Sequence, residues 1–102
     1  METAREFFES LPGRTRENDL GGLDATYLFR ITDAGSWRVA ISGGAVSVSE
    51  GDGSADVRIT TDERTLLRVA AREQNPMTAY MTGKIKLDGD VGTALKLQKL
   101  FG

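Results

Sequence analysis

Apolar positions along this chain change period partway through. From residue 23 the period is two: Leu23, Ala25, Tyr27, Phe29 and Ile31 alternate with Asp24, Thr26, Leu28, Arg30 and Thr32. That alternation predicts a strand with one buried face. Asp33-Ala34-Gly35-Ser36 reads as a turn, after which Trp37, Val39 and Ile41 alternate with Arg38, Ala40 and Ser42. Gly43-Gly44 suits a two-residue hairpin loop, whose central positions can both require φ > 0. Val46 and Val48 continue a third strand, residues 50–55 turn, and Val57 and Ile59 mark a fourth. The spacing of these turns makes an antiparallel meander the simplest arrangement.

Helical signals flank the strands. Residues 3–11 predict a first helix, with Thr3 as N-cap and Glu6 completing a capping box. Phe7, Phe8 and Leu11 form its apolar side, Pro12 and Gly13 are expected to stop it, and residues 14–22 read as a loop. After the fourth strand, Thr60 or Thr61 is expected to cap a helix running to about residue 73, with Asp62 and Glu63 in its first turn and Leu66, Leu67, Val69 and Ala70 along it. Asn75-Pro76 predicts an N-cap followed by proline at the first helical position, and Gly83 a C-terminal stop. Residues 84–87 alternate as a fifth strand. Asp90 then caps a last helix carrying Val91, Ala94, Leu95, Leu97, Leu100 and Phe101. The order α-ββββ-αα-β-α predicts an α+β fold: a five-stranded, mostly antiparallel sheet covered on one face by helices. With no repeat, linker or low-complexity tract, residues 1–102 read as one domain.

Composition then removes whole classes of function. The chain has no cysteine, which excludes disulfides, thiolate metal sites and thiol nucleophiles, and no histidine, the commonest general base and metal ligand. Thirteen basic and fifteen acidic residues leave a net charge of −2 with no basic run, so nucleic acid is not an expected partner. No apolar run approaches the ~20 residues of a membrane span. The opening METAREFFES lacks the apolar region of a signal peptide, and the closing LQKLFG is neither a peroxisomal tripeptide nor a prenylation box. A cytoplasmic location is the expectation.

The carboxylates at Glu50, Asp52 and Asp56, with Ser54, alternate like the start of a calcium loop. Ala55 stands where such a loop needs glycine and Thr61 where it needs glutamate, so a solvated turn is expected instead. Asp88-Gly89-Asp90 offers two carboxylates, but Asp90 is already explained as a helix cap. The glycine pairs at 21–22 and 43–44 match no dinucleotide or Walker loop. Neither a metal nor a cofactor is expected, and an enzyme is not.

One stretch is more specific. Asn75, Pro76, Ala79, Gly83, Lys84, Ile85, Lys86, Leu87, Gly89 and Asp90 stand at the spacing N-P-x-x-A-x-x-x-G-K-I-K-L-x-G-D, followed by Lys96-Leu97-Gln98. Together with residues 35–48 (GSWRVAISGGAVSV) and the opening Ala55-Asp56-Val57-Arg58-Ile59, this resembles the sterol carrier protein type two family, from about residue 25 to the end. The resemblance implies helices and sheet enclosing an apolar tunnel for one long-chain lipid: a fatty acid, an acyl-CoA, a sterol or an isoprenoid-like molecule. It implies carriage rather than chemistry, and allows transient contact with a membrane. Tyr27, Phe29, Leu66, Met77, Tyr80, Met81 and Leu95 are the residues it places on the tunnel wall, where methionine repacks readily around different ligands. By periodicity alone the same side chains would simply fill a core. Gln98 is expected to face solvent. A different class remains beside this one: an accessory or scaffold module acting through protein partners, for example in isoprenoid-quinone synthesis.

Overall fold

The computed structural model describes residues 3–14 and 24–96. Its elements are helix α1 (Ala4–Arg14), strands β1 (Ala25–Ile31), β2 (Gly35–Ser42), β3 (Ala45–Glu50) and β4 (Val57–Thr61), helices α2 (Glu63–Ala70) and α3 (Pro76–Met81), strand β5 (Lys86–Gly89) and helix α4 (Val91–Leu95). The strands form one sheet in the order β3-β2-β1-β4-β5.

Helix α1 begins as its capping signal predicts, with the Glu6 amide donating to Thr3 Oγ1 at 3.2 Å. A further unpaired N–H of its first turn, that of Ala4, donates to Glu63 Oε2 at 2.8 Å, which ties α1 to the start of α2. The helix does not stop at Pro12 but continues to Arg14. A proline in the last turn removes only one intrahelical hydrogen bond, while Phe7, Phe8 and Leu11 hold the helix down through burial. Phe8 stacks on Trp37 with ring centroids 4.8 Å apart and meets Phe29 at 5.1 Å.

The hairpin from β2 to β3 is antiparallel and closes at Gly43 and Gly44, with φ of 57° and 82°. Both values lie in the left-handed region that the two-glycine loop predicts. The expected meander fails at the next strand. Residues 51–56 carry the chain across to the other side of β1, where β4 pairs parallel with it, Tyr27 opposite Val57 and Phe29 opposite Ile59. The ladder is extended at its ends by the Thr32 amide to Thr61 O and the Asp56 amide to Thr26 O, both 2.9 Å. Asp56 Oδ2 in turn accepts from the Thr26 amide. Strand β1 is buried along its inner face, while on its outer face only Leu28 is buried, between half-buried Thr26 and exposed Arg30. It stands in the middle of the sheet, with β2 on one side and β4 on the other.

Smaller boundaries also move. Asp62, not Thr60 or Thr61, caps α2, because both threonines still belong to β4. Helix α2 ends at Ala70 rather than near residue 73. The expected strand over residues 84–87 begins only at Lys86, since the Lys84 and Ile85 amides both donate to Ala79 O and finish α3 instead. The loop expected over residues 14–22 lies almost wholly outside the described residues, as do Leu23 and the part of the last helix carrying Leu97, Gln98, Leu100 and Phe101.

Candidate functional site

Across the inner face of the sheet, register sets Phe29, Ile59 and Leu87 side by side on β1, β4 and β5. This row is the floor of an apolar cavity of about 70 Å³. Thr61 and Ile85 extend the floor, Leu66 and Val69 of α2 form one wall, and Pro76, Met77 and Tyr80 of α3 with Ala94 and Leu95 of α4 form the other.

Each wall is held by a cap. Asn75 Oδ1 accepts from the Met77 and Thr78 amides at 2.8 and 3.2 Å, which starts α3 with Pro76 in place. Asp62 Oδ1 accepts from the Thr65 amide at 2.7 Å and starts α2. Asp90 accepts from the Thr93 hydroxyl at 2.6 Å and from the Gly92 amide, and starts α4. The Thr65 amide and hydroxyl hold the Asp62 carboxyl below the usual carboxylate range, and the Thr93 hydroxyl and Gly92 amide do the same for Asp90.

Chemically the cavity is bare. Among the described residues its lining includes no acid, no base and no amide side chain, and the Thr61 hydroxyl is already used in a 2.9 Å hydrogen bond to Lys84 O. The Tyr80 phenol sits on a side chain that reaches the surface. Such a wall offers burial to a hydrocarbon and nothing to a headgroup, which must stay at the mouth. Among the described residues no three His, Cys, Asp or Glu side chains are grouped as a metal would need. The carboxylates weighed for calcium are spread over separate partners: Glu50 pairs with Arg5 at 2.8 Å, Asp52 with Arg30 at 3.3 Å, and Asp56 holds the crossover.

Of the residues placed on a tunnel wall from the sequence, the structure brings Phe29, Leu66, Met77, Tyr80 and Leu95 together around this cavity. Two lie elsewhere. Tyr27 is one row along the sheet, fully buried, and its hydroxyl donates to Thr93 O at 2.8 Å. It fastens α4 to the sheet rather than lining the cavity, and burial, helped by Asp56, pushes its phenol up to about 12. Met81 points outward with 78% of its surface exposed. One residue of a short helix separates it from Tyr80, and at 100° per residue that step turns it off the wall. Ile59, Val69, Leu87 and Ala94 are lining residues that the sequence reading did not single out. Inner-face alternation could have flagged Ile59 and Leu87, but only the parallel placement of β4 beside β1 sets them next to Phe29.

Comparison with known proteins fits this architecture. Residues 6–102 match the SCP-2 sterol transfer family. The chain belongs to that family. Sterol carrier protein 2 of Gallus gallus is 36% identical over 87 residues, which cover 79% of this chain and 15% of that protein. The chain spans about a quarter or less of the length of the curated relatives it matches. Among solved structures, the stereoselective inverting sec-alkylsulfatase Pisa1 from a Pseudomonas species superposes with a TM-score of 0.81 at 30% identity, over 94% of this chain and 15% of that one. A structure described as the UbiJ-SCP2 ubiquinone synthesis protein superposes with a TM-score of 0.71 at 17% identity, over 94% of this chain and 87% of that one, and shares the fold. Sterol carrier homology, lipid binding and the five-stranded mixed sheet therefore stand together for this SCP-2 domain. None of its described helices is long and apolar enough to cross a membrane.

Proposed function

We propose that this SCP-2 domain binds one long-chain lipid between the sheet and α2–α4 and carries it without acting on it chemically. The observation that carries the reading is the cavity over the Phe29–Ile59–Leu87 row, whose lining among the described residues offers hydrocarbon contact and no reactive group. Burying a sixteen-carbon chain is worth roughly 12 kcal/mol gross at about 0.8 kcal/mol per methylene. A bilayer offers nearly the same burial, so exchange between the two is close to thermoneutral, as shuttling requires. At about 70 Å³ the cavity is roughly half the size of an apolar cavity that takes up benzene. A long chain therefore enters by displacing a wall.

Titration with a fluorescent long-chain fatty acid tests the reading, with saturable binding in the micromolar range or tighter expected. The informative variant is Met77→Lys. Met77 is half-buried on α3, so a lysine there can snorkel to the mouth and keep its charge hydrated. The ligand then loses a few methylenes of burial at about 0.8 kcal/mol each, and affinity falls by one to two orders of magnitude while urea unfolding changes little. Strong destabilisation with normal affinity per folded molecule rejects the assignment, because that is how a partnerless charge in a packed core behaves.

The small volume also favours a second reading, in which the cavity stays closed and the domain acts through protein partners. Likeness to a ubiquinone synthesis protein names one setting for it. A mass spectrum of the freshly purified protein under native conditions separates the two, since a carrier retains lipid mass and a closed module does not.

A further inference from the structure

The sheet has two edge strands, and they are built differently. Strand β5 carries the devices that discourage pairing: it is four residues long, has charged Lys86 and Asp88 along it, and ends at Gly89. Strand β3 carries none of them. It runs six residues, Ala45-Val46-Ser47-Val48-Ser49-Glu50, without proline, lysine or bulge, and pairs residue for residue with β2. Its one charge, Glu50, is taken up by Arg5 of α1 through hydrogen bonds of 2.9 and 2.8 Å. Among the described residues β2 is its only neighbour in the sheet. Alternation fixes which backbone groups are left over. Ser42 and Ala45 flank the two-residue loop and so exchange hydrogen bonds, as do the pairs Ala40–Ser47 and Arg38–Ser49 after them. The Gly51 amide continues the series to Ser36 O at 2.8 Å. The backbone groups of Val46, Val48 and Glu50 therefore point out of the open edge.

We infer that the domain self-associates by antiparallel pairing of β3 with β3 of a second copy, about a twofold axis at Ser47. Residues directly opposite in an antiparallel pair share a face of the sheet, so positions with outward backbone groups must meet positions of the same kind. An unlike strand has to match that alternation with its own sequence, whereas a copy does so by symmetry. With Ser47 opposite Ser47, Val46 stands opposite Val48 of the second copy, and each such pair exchanges both backbone hydrogen bonds. The valines pack against the core from the inner face and continue that face across the axis. The exposed serines meet on the outer face. Glu50 falls opposite Gly44 of the second copy rather than its own image, so no like charges meet. Because β5 discourages pairing, the twofold contact ends the assembly as a dimer and not a fibre. The cavity lies over β1, β4 and β5, toward the far edge of the sheet, so pairing through β3 leaves it untouched.

A strand edge makes a small interface of the transient class. Sedimentation equilibrium is accordingly expected to show a reversible dimer at about 100 μM protein, dissociating on dilution. Ser47→Lys sets two like charges opposite each other at the axis and is expected to weaken the dimer by about tenfold or more. Ser47→Glu is expected to do the same, and an equimolar mixture of the two variants to re-form it. Ser47 is exposed, so both variants keep the wild-type fold. The chain has no cysteine, so a single introduced thiol reports a single contact. Opposed α-carbons at the axis stand about 4.5 Å apart, within disulfide reach. On oxidation, Ser47→Cys is therefore expected to form a covalent dimer much faster than Ser49→Cys, which is also exposed. A wild type that stays monomeric at that concentration overturns the inference and leaves the edge to a strand of another protein. So does a dimer that Ser47→Lys leaves intact, a mixture of the charge variants that stays monomeric, or equal cross-linking at both serines.

Discussion

Gly89 occupies the one position on β5 where a side chain has nowhere to go. Its φ is +121°, and a Cβ built there would lie 2.5 Å from Asp56 O and 3.1 Å from Val57 Cα. Both neighbours are backbone, which cannot swing aside as a side-chain tip would. The Gly89→Ala variant is therefore expected to lose several kcal/mol of stability, from strain in a left-handed region and from separation of β5 from β4. Urea unfolding checks it; a change under 1 kcal/mol would mean that the strand end slides freely. Met81 and Tyr27 show how sharply position decides role at this scale. A step of one residue takes Met81 from the wall to solvent. For Tyr27 the hydroxyl matters most: it reaches past the end of β4 to the Thr93 carbonyl.

At the scale of elements, all four described helices start on a short polar cap, and two of those caps titrate. Asp62 and Asp90 have folded-state values lowered by the hydrogen bonds they accept. A lowered carboxylate contributes stability that is present above the unfolded value of about 4 and is lost as pH falls through the folded value. The domain is accordingly expected to weaken in acid below about pH 4, with α2 and α4 losing their first turns. At neutral pH, Asp62→Ala is expected to cost about 1 kcal/mol, the usual loss for an N-cap, and the gap from wild type should shrink in acid. Urea midpoints at neutral pH and at about pH 3 measure both; a gap that stays constant would show that the cap does not act through its charge.

For the whole molecule, the two halves of the inner face are filled differently. Over β1 and β2, α1 seals the sheet with Phe7, Phe8 and Leu11 against Phe29, Trp37 and Val39. Over β4 and β5, three short helices of eight, six and five residues leave the cavity. Isolated helices of that length are marginal, so this side is the one able to yield. Ligand binding is expected to alter amide hydrogen exchange in α3 and α4 and to leave β1 and β2 unchanged. A uniform change across the sheet would count against a yielding wall and point to general stabilisation instead.

The local signals in the chain sufficed for what local chemistry governs. Asn75 and Pro76 started α3, Gly43 and Gly44 turned the hairpin, and alternation told the inner from the outer face on β1 and β2, because caps, glycine turns and strand periodicity act over a few residues. The family resemblance carried the lipid cavity, which periodicity alone could not tell from a filled core. Tertiary structure decided the rest. A meander and a parallel crossover use the same strand pattern; the parallel pairing of β4 with β1 is long-range, and it set Ile59 and Leu87 beside Phe29. Pro12 stayed helical because packed aromatics outweighed one lost hydrogen bond. Tyr27 and Met81 left the wall for reasons of register and helical phase, which depend on where neighbouring elements stand and are not written at the residues themselves.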